Sequence, residues 1–214
     1  RLYCSMRDHA DERGFGAFAT RCWPECMVEF GGAACTPQAM MADDGVSGTC
    51  EADVLGAVTS MMLRAAAGTA PFVADLVDVD EADGTSVLWH CGVAPSEMAD
   101  PGAPVEAAVH PNRKVPLVNQ FVLRPGRVTV ARISQCGGDL SLVLGGGEML
   151  ARPRPFSGTS GVIRWDEPVE AVADTIFERG VEHHLGVVYG DHQDLLEALA
   201  TEWGLPVVRL GADR

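Results

Sequence analysis

The sequence lacks any apolar run near the twenty or so residues that a membrane-crossing helix needs; its longest, such as LSLVLGGG, stop well short. It has no basic-then-apolar opening of the kind that directs secretion, so a cytoplasmic location is the expectation. Positive charge is scarce: sixteen Lys and Arg stand against thirty Asp and Glu, a formal net charge of -14. Such a surface repels phosphate backbones and anionic lipid, which argues against nucleic acid and membranes as partners. A cysteine framework is missing too. The seven cysteines, Cys4, Cys22, Cys26, Cys35, Cys50, Cys91 and Cys136, are odd in number and scattered. That fits reduced thiols packed as small apolar groups better than a disulfide scaffold. Cys22 and Cys26 stand four apart, but no second pair answers them to complete a zinc site. No internal repeat and no low-complexity tract occurs.

What is present is material for a core. The 214 residues are 47% hydrophobic with a mean hydropathy of +0.08, enough for one or two folded domains. The chain opens on Arg1 and enters patterned sequence at once, as a piece of something longer would. Helical spacing runs from Leu2 to about Arg13, and GFGAFATRCWPE then reads as a strand entering a loop at Pro24. GGAACTPQAMMADDG reads as a loop and a short helix closed by Gly45. A helix from about 50 to 67 follows, capped by Thr49 or Cys50, with Val54, Ala57, Val58, Met61, Met62 and Ala65 as its core stripe and Gly68 as its stop.

From Pro71 the texture changes. PFVADLVDVD, TSVLWHCG, VNQFVLRPGRVTVARIS and DLSLVLGGG are short β-rich runs divided by Gly, Pro and Asp, which predicts a mostly antiparallel sheet or barrel with RPGR as a hairpin turn. DEPVEAVADTIFERG is a helix whose acids and terminal Arg179-Gly180 suit the helix dipole and an αL stop. HHLGVVYGD, HQDLLEALATEWG and LPVVRL close the chain as strand, helix and strand.

Chemistry-bearing residues are few. In TCEADVLGAVTSMML, residues 49 to 63, Glu51 and Asp53 sit at a helix mouth, where an acid ordinarily gains roughly 0.3–1 kcal/mol from the macrodipole. Asp75, Asp78 and Asp80 lack the glycine and distal glutamate of an EF-hand loop. Asp75 follows the apolar PFVA, so its carboxylate is carried among buried neighbours and needs a partner. His90 ends a β-rich run, and His183, His184 and His192 crowd EHHLGVVYGDH. Two carboxylates and a neutral imidazole would make a hard, oxygen-rich site suited to Mn²⁺ or Mg²⁺.

TCEADVLGAVTSMMLRAAAGTAPFVADL resembles the metal-site region of L-fucose isomerases, in which a glutamate opens a helix and an aspartate follows it; the matching pair is Glu51 and Asp75. EHHLGVVYGDHQDLLEALATEWGLPVV is similar to that family's C-terminal segment and puts its histidine ligand at His184 and not His183. TRCWPE resembles an Arg-x-Trp segment upstream of the glutamate. The likeness runs from Arg21 to about Val208, although family members are more than twice as long and GFGAFA replaces a glutamine-rich substrate segment.

The resemblance implies the C-terminal half of an aldose–ketose isomerase working through a cis-enediol. Residues 1–69 would end an α/β, Rossmann-like domain carrying the first metal-site carboxylate. Residues 70–214 would form a mainly β, antiparallel barrel-like domain with flanking helices that carries the other ligands. Glu51, Asp75 and His184 would hold Mn²⁺ or another divalent cation, with Glu51 and Asp75 as acid and base. Asp53 keeps a capping role, and Glu182 or a backbone carbonyl would orient His184. Arg21, Trp23 and His90 would meet the substrate, a monosaccharide, in a homo-oligomer. An inactive carbohydrate- or metal-binding remnant of the same fold, and a metal-dependent hydrolase, are the competing readings.

Overall fold

The computed structural model describes residues 1–212. Helix α1 (Leu2–Arg13) leads to strand β1 (Ala17–Ala19), a distorted turn over Cys22–Cys26, and the short helix α2 (Met27–Glu29). Helix α3 (Cys35–Asp43), strand β2 (Ser47–Thr49) and helix α4 (Val54–Ala67) follow. β1 and β2 pair in parallel as a two-stranded sheet, the arrangement a helical crossover imposes.

The rest is built on one large mixed sheet. Its strands are β3 (Phe72–Asp80), β4 (Thr85–His90), β5 (Glu106–Val109), β6 (Pro116–Val122), β7 (Gly126–Ser134), β8 (Ser141–Met149) and β9 (Thr159–Trp165). Helix α5 (Val169–Arg179), strand β10 (His184–Tyr189), helix α6 (Gln193–Trp203) and strand β11 (Val207–Arg209) complete it. The order is β11-β8-β7-β10-β3-β4-β9-β6-β5, and β8 also pairs with β9. That pairing joins β8, β7, β10, β3, β4 and β9 into a closed antiparallel cycle. Within this sheet, among the described residues, only β11–β8 and β6–β9 are parallel. RPGR is therefore no hairpin: β6 leaves it to join β5 and β9, while β7 joins β8 and β10.

The pleat sends alternate side chains of the central strands into two cores. Val128 and Val130 of β7 and Leu185 and Val187 of β10 join Phe72, Leu88, Val143 and Ile163 in the larger cluster. Ala131, Ile133 and Val188 point the other way, against Met62 and Leu63 of α4 and Leu196 and Ala200 of α6. Each fully buried Leu or Ile contributes about 1.5–3 kcal/mol by leaving water, so both faces of β7 and β10 hold the fold.

Helix α4 rotates away from its expected stripe. Gly56, Ala57, Thr59, Ser60, Met62 and Leu63 are buried, whereas Val54, Val58 and Met61 are exposed. The reason is a close approach. A Cβ at Gly186 of β10 would lie 2.7 Å from Leu63 Cδ1, 2.9 Å from Thr59 Cγ2 and 3.0 Å from the Ala131 carbonyl oxygen. The small residues of α4 are what fit there. Thr59 secures the contact through its hydroxyl, which donates to Leu55 O at 2.7 Å and accepts from Ile133 N–H at 2.9 Å. Among the described residues no helix is long and apolar enough to cross a membrane.

Candidate metal centre

Two backbone features assemble the site. The first is the connection between β2 and α4, where Glu51 and Ala52 both adopt left-handed conformations, with φ of 61° and 57°. Each such residue bearing a Cβ costs roughly 1–2 kcal/mol. Neighbouring groups hold the turn: Ala52 N–H donates to Thr20 O and Asp53 N–H to Cys50 O, both at 3.1 Å, and the Thr49 hydroxyl donates to Asp53 O at 2.9 Å. Glu51 thus projects from a strained turn ahead of the helix, not from its first turn as expected. The helix begins at Val54, and its cap is Asp53, not Thr49 or Cys50: Asp53 Oδ1 accepts the Gly56 N–H at 2.8 Å.

The second feature is strand register. His184 opens β10 directly opposite Asp75 on β3, and opposite residues of an antiparallel pair share a face. Nε2 of His184 lies 3.6 Å from Asp75 Oδ1 and 3.9 Å from Glu51 Oε2. Its other nitrogen, Nδ1, is 2.8 Å from Asp53 Oδ2. His183 Nε2 is 3.4 Å from Glu51 Oε2, and the His90 ring centre is 5.4 Å from that of His184.

Asp53 therefore does more than cap. It accepts two guanidinium N–H groups from Arg132, whose side chain is 5% exposed, and it faces His184. Burial opposes its ionisation, but the hydrogen bonds from His184, Arg132 and Gly56 more than offset this and hold its carboxyl well below the usual range. An ionised Asp53 fixes the proton of His184 on Nδ1 and turns a bare Nε2 towards Asp75 and Glu51. The sequence reading gave this orienting role to Glu182 or a carbonyl. Glu182 instead accepts the Gln135 N–H at 2.8 Å.

Burial pushes Asp75 up to about 6, with His184 and His183 pulling the other way. Burial also works against a charged His184, but Asp53, Asp75 and Glu51 outweigh it and raise its pKa. His90 is driven down to about 3 by burial, with His184 and His183 adding to the effect, and is neutral. Its Nδ1 accepts the Cys91 backbone N–H at 2.9 Å, an assignment from the hydrogen-bond network that leaves the proton on Nε2.

Three buried atoms converge here without a hydrogen-bond partner among the described residues: Asp75 Oδ1, His90 Nε2 and His184 Nε2. A buried polar atom left unpaired costs about 1–3 kcal/mol. One ligand atom each from Asp75, His90 and His184 lie within 4.8 Å of one another, as do those of Glu51, His183 and His184. The bare Asp75 Oδ1 and His184 Nε2 fit a divalent cation, while the protonated His90 Nε2 can only donate, so residues able to hold a metal are present.

Arg21 is at the surface in an ion pair with Glu25 at 2.7 Å. Trp23 lies under the Arg113 guanidinium, 4.1 Å from its ring centre, and 5.6 Å from the His110 ring. Sequence reasoning missed Arg132 altogether. The signal was a lone arginine inside the apolar strand VTVARIS, a cation that burial obliges to find a carboxylate.

The chain is 34% identical over 209 residues to the sulfoquinovose isomerase of Alkalicoccus urumqiensis, covering 97% of this chain and 47% of that protein. It is 35% identical over 190 residues to the sulfoquinovose isomerase of Priestia aryabhattai, covering 87% of this chain and 42% of that protein. With the sulfoquinovose isomerase of Clostridium sp. (strain MSTE9) it shares 35% over 202 residues, 94% of this chain and 45% of that protein. The chain spans about half the length of the curated relatives it matches. No family model matches it. The relatives bear the name of a sugar isomerase, though a different one from the family the sequence resembles.

Proposed function

We propose that this chain carries the metal and proton-transfer site of an aldose–ketose isomerase acting on a monosaccharide. The observation that carries the reading is the convergence of Asp75 Oδ1, His90 Nε2 and His184 Nε2, buried and unpartnered, beside Glu51. The relatives' shared name supports the reaction class. Glu51, Asp75 and His184 would hold Mn²⁺ or a similar divalent cation, as in the L-fucose isomerases that the sequence resembles. When bound, that cation supplies Lewis-acid polarisation of adjacent sugar oxygens.

The chain's own groups do the remaining work. Glu51 and Asp75 work as base and acid: one carboxylate removes the proton from the carbon beside the carbonyl to give a cis-enediol and returns it to the adjoining carbon, while the other, protonated, gives its proton to the carbonyl oxygen and takes one back from the neighbouring hydroxyl. Such general acid–base help contributes typically ~10²–10⁴-fold. His90 donates a hydrogen bond from Nε2 to a sugar oxygen, and Asp53 keeps His184 in its productive tautomer. Arg21 and Trp23 form the outer rim towards the sugar.

Residues 1–69 are, in this reading, the end of an α/β, Rossmann-like domain, which the parallel β1–β2 pair supports. Residues 70–214, of which 213 and 214 lie outside the described residues, are a barrel-like domain, which the six-strand cycle supports. The enzyme is a cytoplasmic homo-oligomer; exposed Val54, Val58 and Phe177 supply apolar surface for such contacts.

The test is Mn²⁺ calorimetry at neutral pH on the full-length protein beside Glu51→Gln, Asp75→Asn and His184→Ala, followed by isomerisation assays. Sulfoquinovose comes first, from the relatives' name, then L-fucose and D-arabinose. Binding lost in all three variants and an aldose–ketose interconversion are expected. Binding without conversion of any sugar would leave the remnant reading ahead, and no binding by the parent would sink the site.

A further inference from the structure

A cluster of sulfur lies against the wall of this site and has no part in it. Cys35 Sγ and Cys91 Sγ are 3.4 Å apart, and the Sγ atoms of Cys35, Cys50 and Cys91 all lie within 4.8 Å of one another. Cys22 borders this trio on the Cys50 side. Their exposures are 4% for Cys22, 0% for Cys35, 1% for Cys50 and 7% for Cys91. The four come from four separate segments: the turn after β1, the start of α3, the end of β2 and the end of β4. Apolar packing needs small side chains there, but it does not need every one of them to be sulfur.

A second observation points to a ligand. Gln38 is 0% exposed, its Nε2 donates to Cys50 Sγ at 3.4 Å, and its Oε1 has no partner among the described residues. The Glu51 backbone also hydrogen-bonds the Cys22 sulfur. Amide N–H groups aimed at sulfur are the outer contacts that metal-bound thiolates collect.

We propose that Cys22, Cys35, Cys50 and Cys91 form a second metal centre, taking a thiophilic cation of the Zn²⁺ class and distinct from the carboxylate–imidazole site. Tetrahedral zinc with Zn–S bonds of about 2.3 Å sets neighbouring sulfurs roughly 3.8 Å apart, within the span that Cys35, Cys50 and Cys91 already occupy, and Cys22 would close on them from the Cys50 side. Each S–H proton passes to water as its sulfur–metal bond forms, and no electron moves. The centre ties together the Glu51 turn through Cys50, the His90 strand end through Cys91 and the Trp23 segment through Cys22. It is a structural pin behind the site, and it does not depend on the isomerase reading.

Co²⁺ is the probe, titrated into the metal-stripped full-length protein. The expected result is a sulfur-to-cobalt charge-transfer band saturating at one Co²⁺ per chain and removed by Zn²⁺. The band persists in a Cys4→Ser/Cys26→Ala/Cys136→Ser background and in Asp75→Asn, and it is lost in Cys35→Ala and Cys50→Ala. Serine replacements at 35 and 50 are measured alongside, since alanine opens a hole in the core. The titration of the folded parent decides even where a variant fails to fold. No band in the parent, or a band surviving both the Cys35 and Cys50 replacements, would overturn the proposal.

Discussion

The two ends of the chain reach the same site by opposite means. Residues 1–69 use short parallel strands separated by helices, and they deliver Glu51 and Asp53 from a turn with two consecutive left-handed residues. Residues 70–212 use long antiparallel strands, and they deliver Asp75 and His184 by register alone, without backbone strain at either residue. A pleated ladder places side chains by its own periodicity, so a ligand pair there is a consequence of pairing. A turn between a strand and a helix has no such ruler and must be held by specific bonds. The difference suggests that the first half of the site is the more fragile and the second the more rigid. The two halves meet through Asp53, which touches Arg132 and His184 of the sheet while capping α4.

Breaking that meeting point should have the largest effect. Asp53→Ala leaves Arg132 buried without its carboxylate and is expected to cost roughly 3–5 kcal/mol of stability, read from denaturant unfolding. It should also weaken Mn²⁺ binding about 10–100-fold by freeing the His184 ring. Equal stability in parent and variant would mean that the sheet positions Arg132 unaided. Next comes Gly186→Ala, which drives a methyl between β10 and α4 and should cost about 1–3 kcal/mol by overpacking; a melt unchanged from the parent would show that α4 is free to move outward.

The pH dependence separates the carboxylates. Asp53 is depressed, so its contribution is present above the unfolded value of about 3.9 and lost as pH falls through its lower folded value. Asp75 is raised to about 6 by burial, so its contribution is present below the unfolded value and lost as pH rises through about 6. The raised His184 works in the same direction as Asp75. His90, lowered to about 3 by burial, works against both and gains stability as pH rises from about 3 to 6.5, so Asp75 shows as a difference: metal-free Asp75→Asn should gain more stability than the parent between about pH 4 and 6. Mn²⁺ needs both ligands unprotonated and should bind more weakly below pH 6. Identical pH profiles for parent and Asp75→Asn over that interval would contradict the burial of Asp75. The smallest effect is expected from Ala52→Gly, which relieves a left-handed alanine and should stabilise by a few tenths to about 1 kcal/mol. Thermal unfolding of the two proteins side by side measures it, and a loss of stability would show that the turn carries no strain.

Much of this was readable in advance. Helices α1, α3, α5 and α6, and strands β3, β4, β6, β7, β8, β10 and β11, follow from periodicity and from Gly, Pro and Asp punctuation, because those signals act within a few residues, whereas β5 and β9 carry no such reading. Partner choice did not follow. RPGR is a turn in sequence but joins strands that pair elsewhere, since hairpin pairing competes with β5, β8, β9 and β10 for the same edges. The apolar stripe of α4 was misread because the helix packs by its small residues against Gly186, a preference set by the partner strand and not by hydropathy.

The sequence by itself determined most element types, the formal net charge of -14, and the identities of Glu51, Asp75 and His184 as residues worth watching. Only the tertiary structure decided that Asp53 and Arg132 orient His184, that His90 stands beside it with a proton on Nε2, and that the thiols of Cys35, Cys50 and Cys91 share one point. The physical reason is that burial, tautomer and pKa are set by neighbours distant in the chain, such as Arg132, 79 residues from Asp53, and no local window contains them.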